Sequence, residues 1–543
     1  DGETAGPWSD PIKVNTLRTV TGTFDVQFNV DPTADRTPIS PYIYGANEDL
    51  TGTENLTARR AGGNRFSTYN WENNASNSGS DSGHVSDSFI PWYYGGIPVS
   101  DSAKWEVPGS AAVGFHQQSL EKGAYTLWSL PTAGYAAKTK GIKITDADKA
   151  PSSSWVEVQA AKGGPFSLTP DLNDNVAYND EFVNFLVNKF GPASSATGIQ
   201  GYSIDNEPGL WNKTHKYMHP EMPKGAEVLS KSIDLAKAVK NVDPSAELFG
   251  PVSYGFSDMY MVDNKAEWEQ IKGKYEWYLD YYLDNMARES RIEGKRLLDV
   301  LDVHWYSEER GGGIRITSTN LAAHTLETHK VRVQAPRSLW DPSYLEDTWI
   351  GKSFSGFLPW LPTMKNSVNK YNPGTKLAIT EYDFGGNNHV SGGIAQADTL
   401  GIFGKQGLYL ATYWNMAGTA NLSKIPYLSS AFKIYNNYDG MNSKYGDTNV
   451  RAETNDIENS SIYSSTFKDS DDNLHMIVIN KNFDYSMNAA FTIGGTKQYT
   501  SAKVWAFDEN SPQITERDGL TNINGNKFTL TIPKLTVAHI VLS

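Results

Sequence analysis

The sequence predicts an α/β protein: a closed (β/α)8 TIM-like barrel joined to an all-β sandwich built from both ends of the chain. Three observations predict it. Short apolar runs alternate with helical patterns from about residue 38 to residue 440. Two of those runs end in a glutamate and then break, in Asp205-Asn206-Glu207-Pro208-Gly209 and in Thr380-Glu381-Tyr382-Asp383-Phe384-Gly385-Gly386. Beyond residue 440 the texture changes to short β-rich runs separated by turn residues.

The first 16 residues are punctuated by Pro and Gly and read as a linker or the remnant of an upstream module. Trp8 to Asn15 resembles the last strand of a fibronectin type III module. Thr21 to Val30 alternates apolar and polar residues, as a half-exposed strand does, so residues 17–37 are assigned to the sandwich. Residues 38–440 form the barrel. Its eight predicted strands are 42–45, 64–69, 126–130, 200–205, 247–250, 300–305, 376–380 and 411–414. Between them, Phe182, Phe185, Leu186 and Phe190 share one helical face that ends at Gly191. Leu229, Ile233 and Ala236 form a second stripe, and Trp268, Ile271, Tyr278, Tyr281 and Tyr282 mark a third. The Ser-, Gly- and Asp-rich stretch 73–87 reads as an insertion on the active-site face. Residues 441–543, with runs such as Met476 to Ile479 and His539 to Leu542, complete the sandwich.

Composition narrows the function. A net charge of −14 without a basic cluster argues against nucleic acid or an anionic membrane as partner, and suits a neutral polymer. The chain has no cysteine, which excludes disulfides, thiol catalysis and thiolate metal sites. No apolar run reaches the length of a membrane span, and no signal peptide is present. A secreted, monomeric protein is expected, its sequence starting as a mature or excised fragment would. The 15 Trp and 29 Tyr serve mostly packing, but aromatic faces also stack on sugar rings.

A barrel gathers its strand C-terminal ends at one mouth. Those ends carry Arg65, Asn206, Glu207, His304, Tyr306, Glu381 and Trp414. Any single strand-terminal glutamate is more often a loop ion pair. Two of them, with an Asn, an Arg, a His/Tyr pair and a Trp, point to hydrolysis of a glycosidic bond. Glu207 is assigned as general acid/base and Glu381 as nucleophile. Asn206 is expected to contact the sugar 2-hydroxyl, Arg65 to keep Glu381 ionised by its charge, and Tyr306 to hold Glu381 by a hydrogen bond.

Several longer segments resemble glycoside hydrolase family 44, a family of retaining (β/α)8 endo-β-1,4-glucanases. They are Gly62 to Asn77, Asp205 to Trp211, Asp302 to Tyr306, Ser338 to Pro342, Asp347 to Ile350 and Ile379 to Tyr382. The resemblance implies the same two roles for Glu207 and Glu381. It also implies a cellulase-type activity on β-linked glucans, with xyloglucan, mixed-linkage glucan or xylan as further substrates. Trp340 and Trp349 become candidates for stacking glucosyl units, with Trp71, Trp211 and Trp414 beside them. No catalytic cofactor is expected, but the resemblance implies a structural calcium ion, for which Glu72, Asp171 and Asp174 are the candidate ligands. The alternative for the acidic pair is a solvated turn before the following helix. Rival readings are an exo-acting arabinofuranosidase of the same clan and a carbohydrate-binding protein with a decayed site.

Overall fold

The computed structural model describes residues 22–47, 52–418 and 421–543. The first 16 residues, read above as a linker or remnant, lie outside the described residues.

Eight parallel strands close into a barrel: β2 (Gly45–Ala46), β3 (Ala58–Ala61), β4 (Tyr125–Leu130), β5 (Gly201–Ile204), β6 (Glu247–Ser253), β7 (Val300–Tyr306), β8 (Lys376–Asp383) and β9 (Leu410–Tyr413). Going round the barrel the order is β5-β6-β7-β8-β9-β2-β3-β4. Alternation along each strand divides the side chains. Ala58, Tyr125, Leu127, Phe249, Val300, Ala378 and Leu410 form an apolar plug inside the barrel. Their neighbours Trp128, Tyr202, Leu248, Leu301 and Ile379 point out and pack under the surrounding helices.

The helices follow the predicted stripes. α1 (Ser110–Lys122) precedes β4. α2 (Asn179–Phe190) buries Phe182 and Leu186, and its C-cap is Gly191. α3 (Gly225–Val242) carries the second stripe. The third stripe is not one helix. It breaks into α4 (Lys265–Ile271) and α5 (Tyr278–Glu293), with Trp277 at the N-cap of α5.

The predicted second strand is a correction. Asn64–Thr68 is a 3-10 helix, and the true second strand is β3, which lies upstream of the predicted span and carries the pair Arg59 and Arg60 between Ala58 and Ala61. Charged residues inside a strand hid it from hydrophobic patterning. Gly62 and Gly63 then turn the chain out of the barrel, Gly63 at φ +91°.

The second layer of the molecule is one ten-stranded sheet. Its members are β1 (Thr23–Asp31), β10 (Thr448–Thr454), β11 (Ser460–Phe467), β12 (Ser470–Asn480), β13 (Ser486–Ile493), β14 (Ala502–Asp508), β15 (Ser511–Leu520), β16 (Lys527–Ile532) and β17 (Thr536–Leu542), with Thr37–Pro38 on β10. The order is β15-β14-β17-β12-β11-β10-β1-β13-β16. Residues from β14 and β16, far apart in that order, share one apolar core with Val26 and Phe28 of β1, so the sheet folds over on itself. As expected from the alternation near residue 25, β1 sits between β10 and β13 and ties the N-terminal segment to the C-terminal strands.

Candidate active site

Glu207 leaves β5 through an unusual turn. Asp205 and Glu207 both have left-handed backbone, at φ 62° and 46°, which costs a non-glycine residue about 1–3 kcal/mol. Anchors hold the turn. The Asp205 carboxylate accepts from Ser67 Oγ at 2.5 Å, Asn206 N at 2.7 Å, Ala133 N at 2.9 Å and Trp211 Nε1 at 3.2 Å. Glu207 N donates to Val252 O of β6 at 3.0 Å. Pro208 then starts a short 3-10 turn that carries the chain away.

Glu381 reaches the mouth by a different device. β7 and β8 pair in register up to Val303 with Ile379, then skip Thr380 so that His304 faces Glu381. This bulge re-aims the carboxylate toward the barrel axis. One ligand atom each of Glu207, His304 and Glu381 lie within 4.8 Å of one another. The two glutamates thus converge at the short spacing on which a direct attack depends.

Their surroundings differ. Burial pushes the Glu207 carboxyl up to about 7, against the pull of the nearby Arg60 guanidinium and with Asp81 adding repulsion. His304 Nδ1 lies 2.8 Å from Glu207 Oε1. Burial drives this imidazole down to about 3, so it is neutral at neutral pH. Glu381 instead accepts from Arg60 Nη1 at 2.8 Å and from Tyr306 Oη at 2.7 Å, so its two oxygens are each held by a donor. Asn206 Oδ1 accepts from Arg60 Nη2 at 2.7 Å, and Asn47 Oδ1 from Arg60 Nη1 at 3.2 Å, so one guanidinium ties both halves of the mouth.

That arginine was not the one read from the sequence. Arg65 lines the cleft but forks onto Asp87, at 2.7 and 3.2 Å, with its guanidinium 4.3 Å above the Phe89 ring. It cannot serve Glu381, because it follows the strand end and lies in the 3-10 helix. Arg60 points inward from β3, two residues beyond the plug residue Ala58. Gly62 leaves room for it, since a Cβ there would come within 2.2 Å of the Arg60 guanidinium carbon, a contact that the sequence alone does not show.

The cleft over the pair has a volume of about 740 Å³. One bank carries Phe89, Tyr93, Tyr94 and Trp414. The other carries Tyr254, Phe256, Trp349 and Ile350. Trp414 packs on Gly63, and Trp349 is 45% exposed, the state of a ring available to a ligand. Asn206, Tyr306 and Arg65 also face the cleft. Trp340 does not. It lies on the outer side of the barrel, with Lys405 Nζ 4.9 Å above its ring, because the 3-10 turn Ala335–Leu339 directs it away from the mouth. Trp71 stacks on Phe182 at 5.2 Å, and Trp211 is 1% exposed with its N–H on Asp205, so both are packing residues.

The three proposed metal ligands come only partly together. Glu72 is 3% exposed, whereas Asp171 and Asp174 lie on an exposed loop. They are electrostatic neighbours all the same. Burial pushes Glu72 up to about 8, and Asp174, Glu181 and Asp171 add repulsion against the pull of Lys162. A buried carboxyl ringed by others is a donor set that a hard cation would relieve. Glu181 was not singled out from the sequence.

Residues 75–309 match the family model described as Glycoside hydrolase family 44. Endoglucanase A of Paenibacillus lautus is 52% identical over 518 residues, covering 95% of this chain and 72% of that protein. Beta-mannanase/endoglucanase A of Caldicellulosiruptor saccharolyticus is 46% identical over 95% of this chain, which spans only 38% of that longer protein. The solved xyloglucanase of Paenibacillus polymyxa, a family 44 enzyme with xyloglucan bound, superposes with a TM-score of 0.92 at 52% identity, covering 96% of this chain and 100% of that one. By this identity over nearly its whole length, the chain belongs to glycoside hydrolase family 44.

Proposed function

We propose that the protein is a retaining endo-β-1,4-glucanase that cuts internal bonds of cellulose-like β-glucans, with xyloglucan among its substrates and xylan as a side activity. The observation that carries this reading is the convergence of Glu207 and Glu381 within 4.8 Å in unlike surroundings. Glu207, protonated near neutral pH, donates to the glycosidic oxygen as the bond to the leaving chain breaks. Glu381 attacks the anomeric carbon and forms a glycosyl ester. Water then attacks that carbon while Glu207 takes its proton, which returns both carboxyls to their starting states. Tyr306 and Arg60 hold Glu381 in line, and Asn206, anchored by Arg60, offers its amide to the 2-hydroxyl.

Endo action is favoured by the two aromatic banks, which come from loops on roughly opposite sides of the barrel and leave room for sugar units on either side of the pair. The relatives named endoglucanase and xyloglucanase support the same substrate class. A pit blocked at one end, as an arabinofuranosidase needs, is not what these banks build, and a decayed binding site would not keep both carboxylates supported. Product sizes over time from carboxymethylcellulose, xyloglucan and xylan test the proposal. Early loss of viscosity with mixed oligosaccharides is expected; release of single sugars from chain ends would sink the endo reading.

A calcium ion held by Glu72 with Asp171 and Asp174 would be structural, tying the exposed loop to the chain after β3. No helix among the described residues is long and apolar enough to cross a membrane. A secreted monomer acting on a polymeric substrate outside the cell fits the proposed chemistry.

A further inference from the structure

Directly beneath the two carboxylates lies a set of polar side chains of which catalysis, as described so far, uses only Arg60. Two residues further along the strands that supply the apolar plug come Arg60, Ser129, Asp302, Thr380 and Thr412, each 0% exposed. Ser203 of β5 pairs in register with Ser129 of β4 and completes the ring. Six polar residues therefore sit inside a closed barrel, with an apolar floor below and the active site above.

The layer is not satisfied by its own members. Asp302 Oδ2 accepts from Thr380 Oγ1 at 2.9 Å. Asp302 Oδ1, Arg60 Nε and the hydroxyls of Ser129 and Ser203 have no hydrogen-bond partner among the described residues. His304 stands two residues beyond Asp302 on the same inward face of β7. Its Nδ1 meets Glu207, and its Nε2 is likewise without a partner. Five buried, unpaired polar atoms inside one barrel are far from the rule that such groups are paired. Isolated, each would be a destabilising defect; grouped, they offer the two to four partners that a buried water molecule takes.

We propose that this layer holds ordered water, and that one water bridges His304 Nε2 to Asp302 Oδ1, which makes Asp302 the positioning residue for the Glu207–His304 pair. The proposal rests on the reading of Glu207 as acid/base. Which nitrogen of an imidazole carries the proton is set by what the other nitrogen meets. A fixed partner under Nε2 fixes the ring plane and hence the side of Glu207 that faces the substrate. Residues i and i+2 on one strand face are about 7 Å apart at Cα, close enough for a single bridging molecule. The charged and titratable groups that act on Asp302 are Arg60 and Glu381 in the barrel and Tyr282 of α5, with His304 two residues further along the same strand. Burial pushes the Asp302 carboxyl up to about 7, opposed by Arg60 and the Thr380 hydroxyl, so part of its charge is present where Glu207 titrates.

Two measurements test this. A crystal structure of the unmodified protein at high resolution is expected to show a water at about 2.6–3.2 Å from both His304 Nε2 and Asp302 Oδ1. A dry layer, or water that touches neither atom, overturns the proposal. In solution, Asp302→Leu is expected to lower kcat about tenfold or more with little change in KM, and Asp302→Asn, which keeps a polar bridge, to recover most of it. Both variants lose the negative charge, so in both the alkaline limb of the kcat/KM profile should move to lower pH by about half a unit or more. An unmoved limb in both means that Asp302 only packs, and refutes its coupling to Glu207. If the Leu variant does not fold, the Asn variant and the crystal structure decide. Glu207→Gln tests the acid/base assignment separately: were that assignment wrong, the water bridge would still be seen.

Discussion

Arg60 Nη1 lies 2.8 Å from Glu381 Oε1, an ion pair whose side chains are 0% and 6% exposed. A pair this dry is strong only while both partners remain, because removing one leaves the other buried and uncompensated. Arg60→Ala should therefore lower kcat by about a hundredfold or more and cost about 3–5 kcal/mol of stability. Arg65→Ala, which breaks the Asp87 contact at the cleft rim, should change kcat by less than about tenfold. Steady-state kinetics and thermal melts of the two variants check the contrast.

The roles of the two glutamates separate by leaving group. Glu381→Ala should abolish turnover by about 10⁴-fold or more on every substrate, and azide should not restore a product of retained configuration. Glu207→Gln should lose activity on polysaccharide while keeping a large share on aryl glycosides whose leaving group needs no proton. Near-normal rates for Glu381→Ala would refute the assignment.

In the proposed mechanism the acid/base residue sets the alkaline side of the pH profile. As the proposed acid, Glu207 must carry a proton to act, and burial holds its carboxyl up at about 7. As pH rises through that value the protonated fraction falls, so kcat/KM should decline above about 7. A profile still flat at pH 9 would show that Glu207 is not the acid.

Trp349 and Trp414 face the cleft, whereas Trp340 does not. Replacing either of the first two by Ala should raise KM on oligosaccharides by about tenfold, through a loss of about 1–1.5 kcal/mol of stacking. Trp340→Ala should leave KM unchanged and lower thermal stability.

Much of this was legible in the chain, for reasons that particular residues show. Glu207 and Glu381 stood out because each ends an apolar run and precedes a breaker, a pattern that survives without any knowledge of tertiary contacts. The eight-strand barrel was readable from alternation, except at its first two strands: 42–45 was predicted where Pro41–Ile43 is a 3-10 turn and the strand is Gly45–Ala46, and at β3 Arg59 and Arg60 replace the apolar residues expected of a buried strand. Arg60 was missed for the same reason: its burial is offset by Glu381, Asn206 and Asn47, partners distant in sequence. Trp340 was misplaced because a motif fixes neighbours along the chain and not which side of the barrel they face. Asp302 and His304 drew notice only in part, since two-residue spacing on a strand shows a shared face but not what lies between their side chains.

Removal of divalent cations should lower the melting temperature, as the repulsion around Glu72 returns, and added calcium should restore it. Equal melts with and without chelator would show that Glu72, Asp171 and Asp174 bind no structural ion.

The account depends most on a double displacement at one carbon. Proton NMR of a short cello-oligosaccharide, followed from the first minutes of hydrolysis, reads the configuration of the newly formed reducing end. The β-anomer should appear first and convert slowly to the equilibrium mixture. First appearance of the α-anomer would mean a single inverting attack, and Glu381 would then not be the nucleophile.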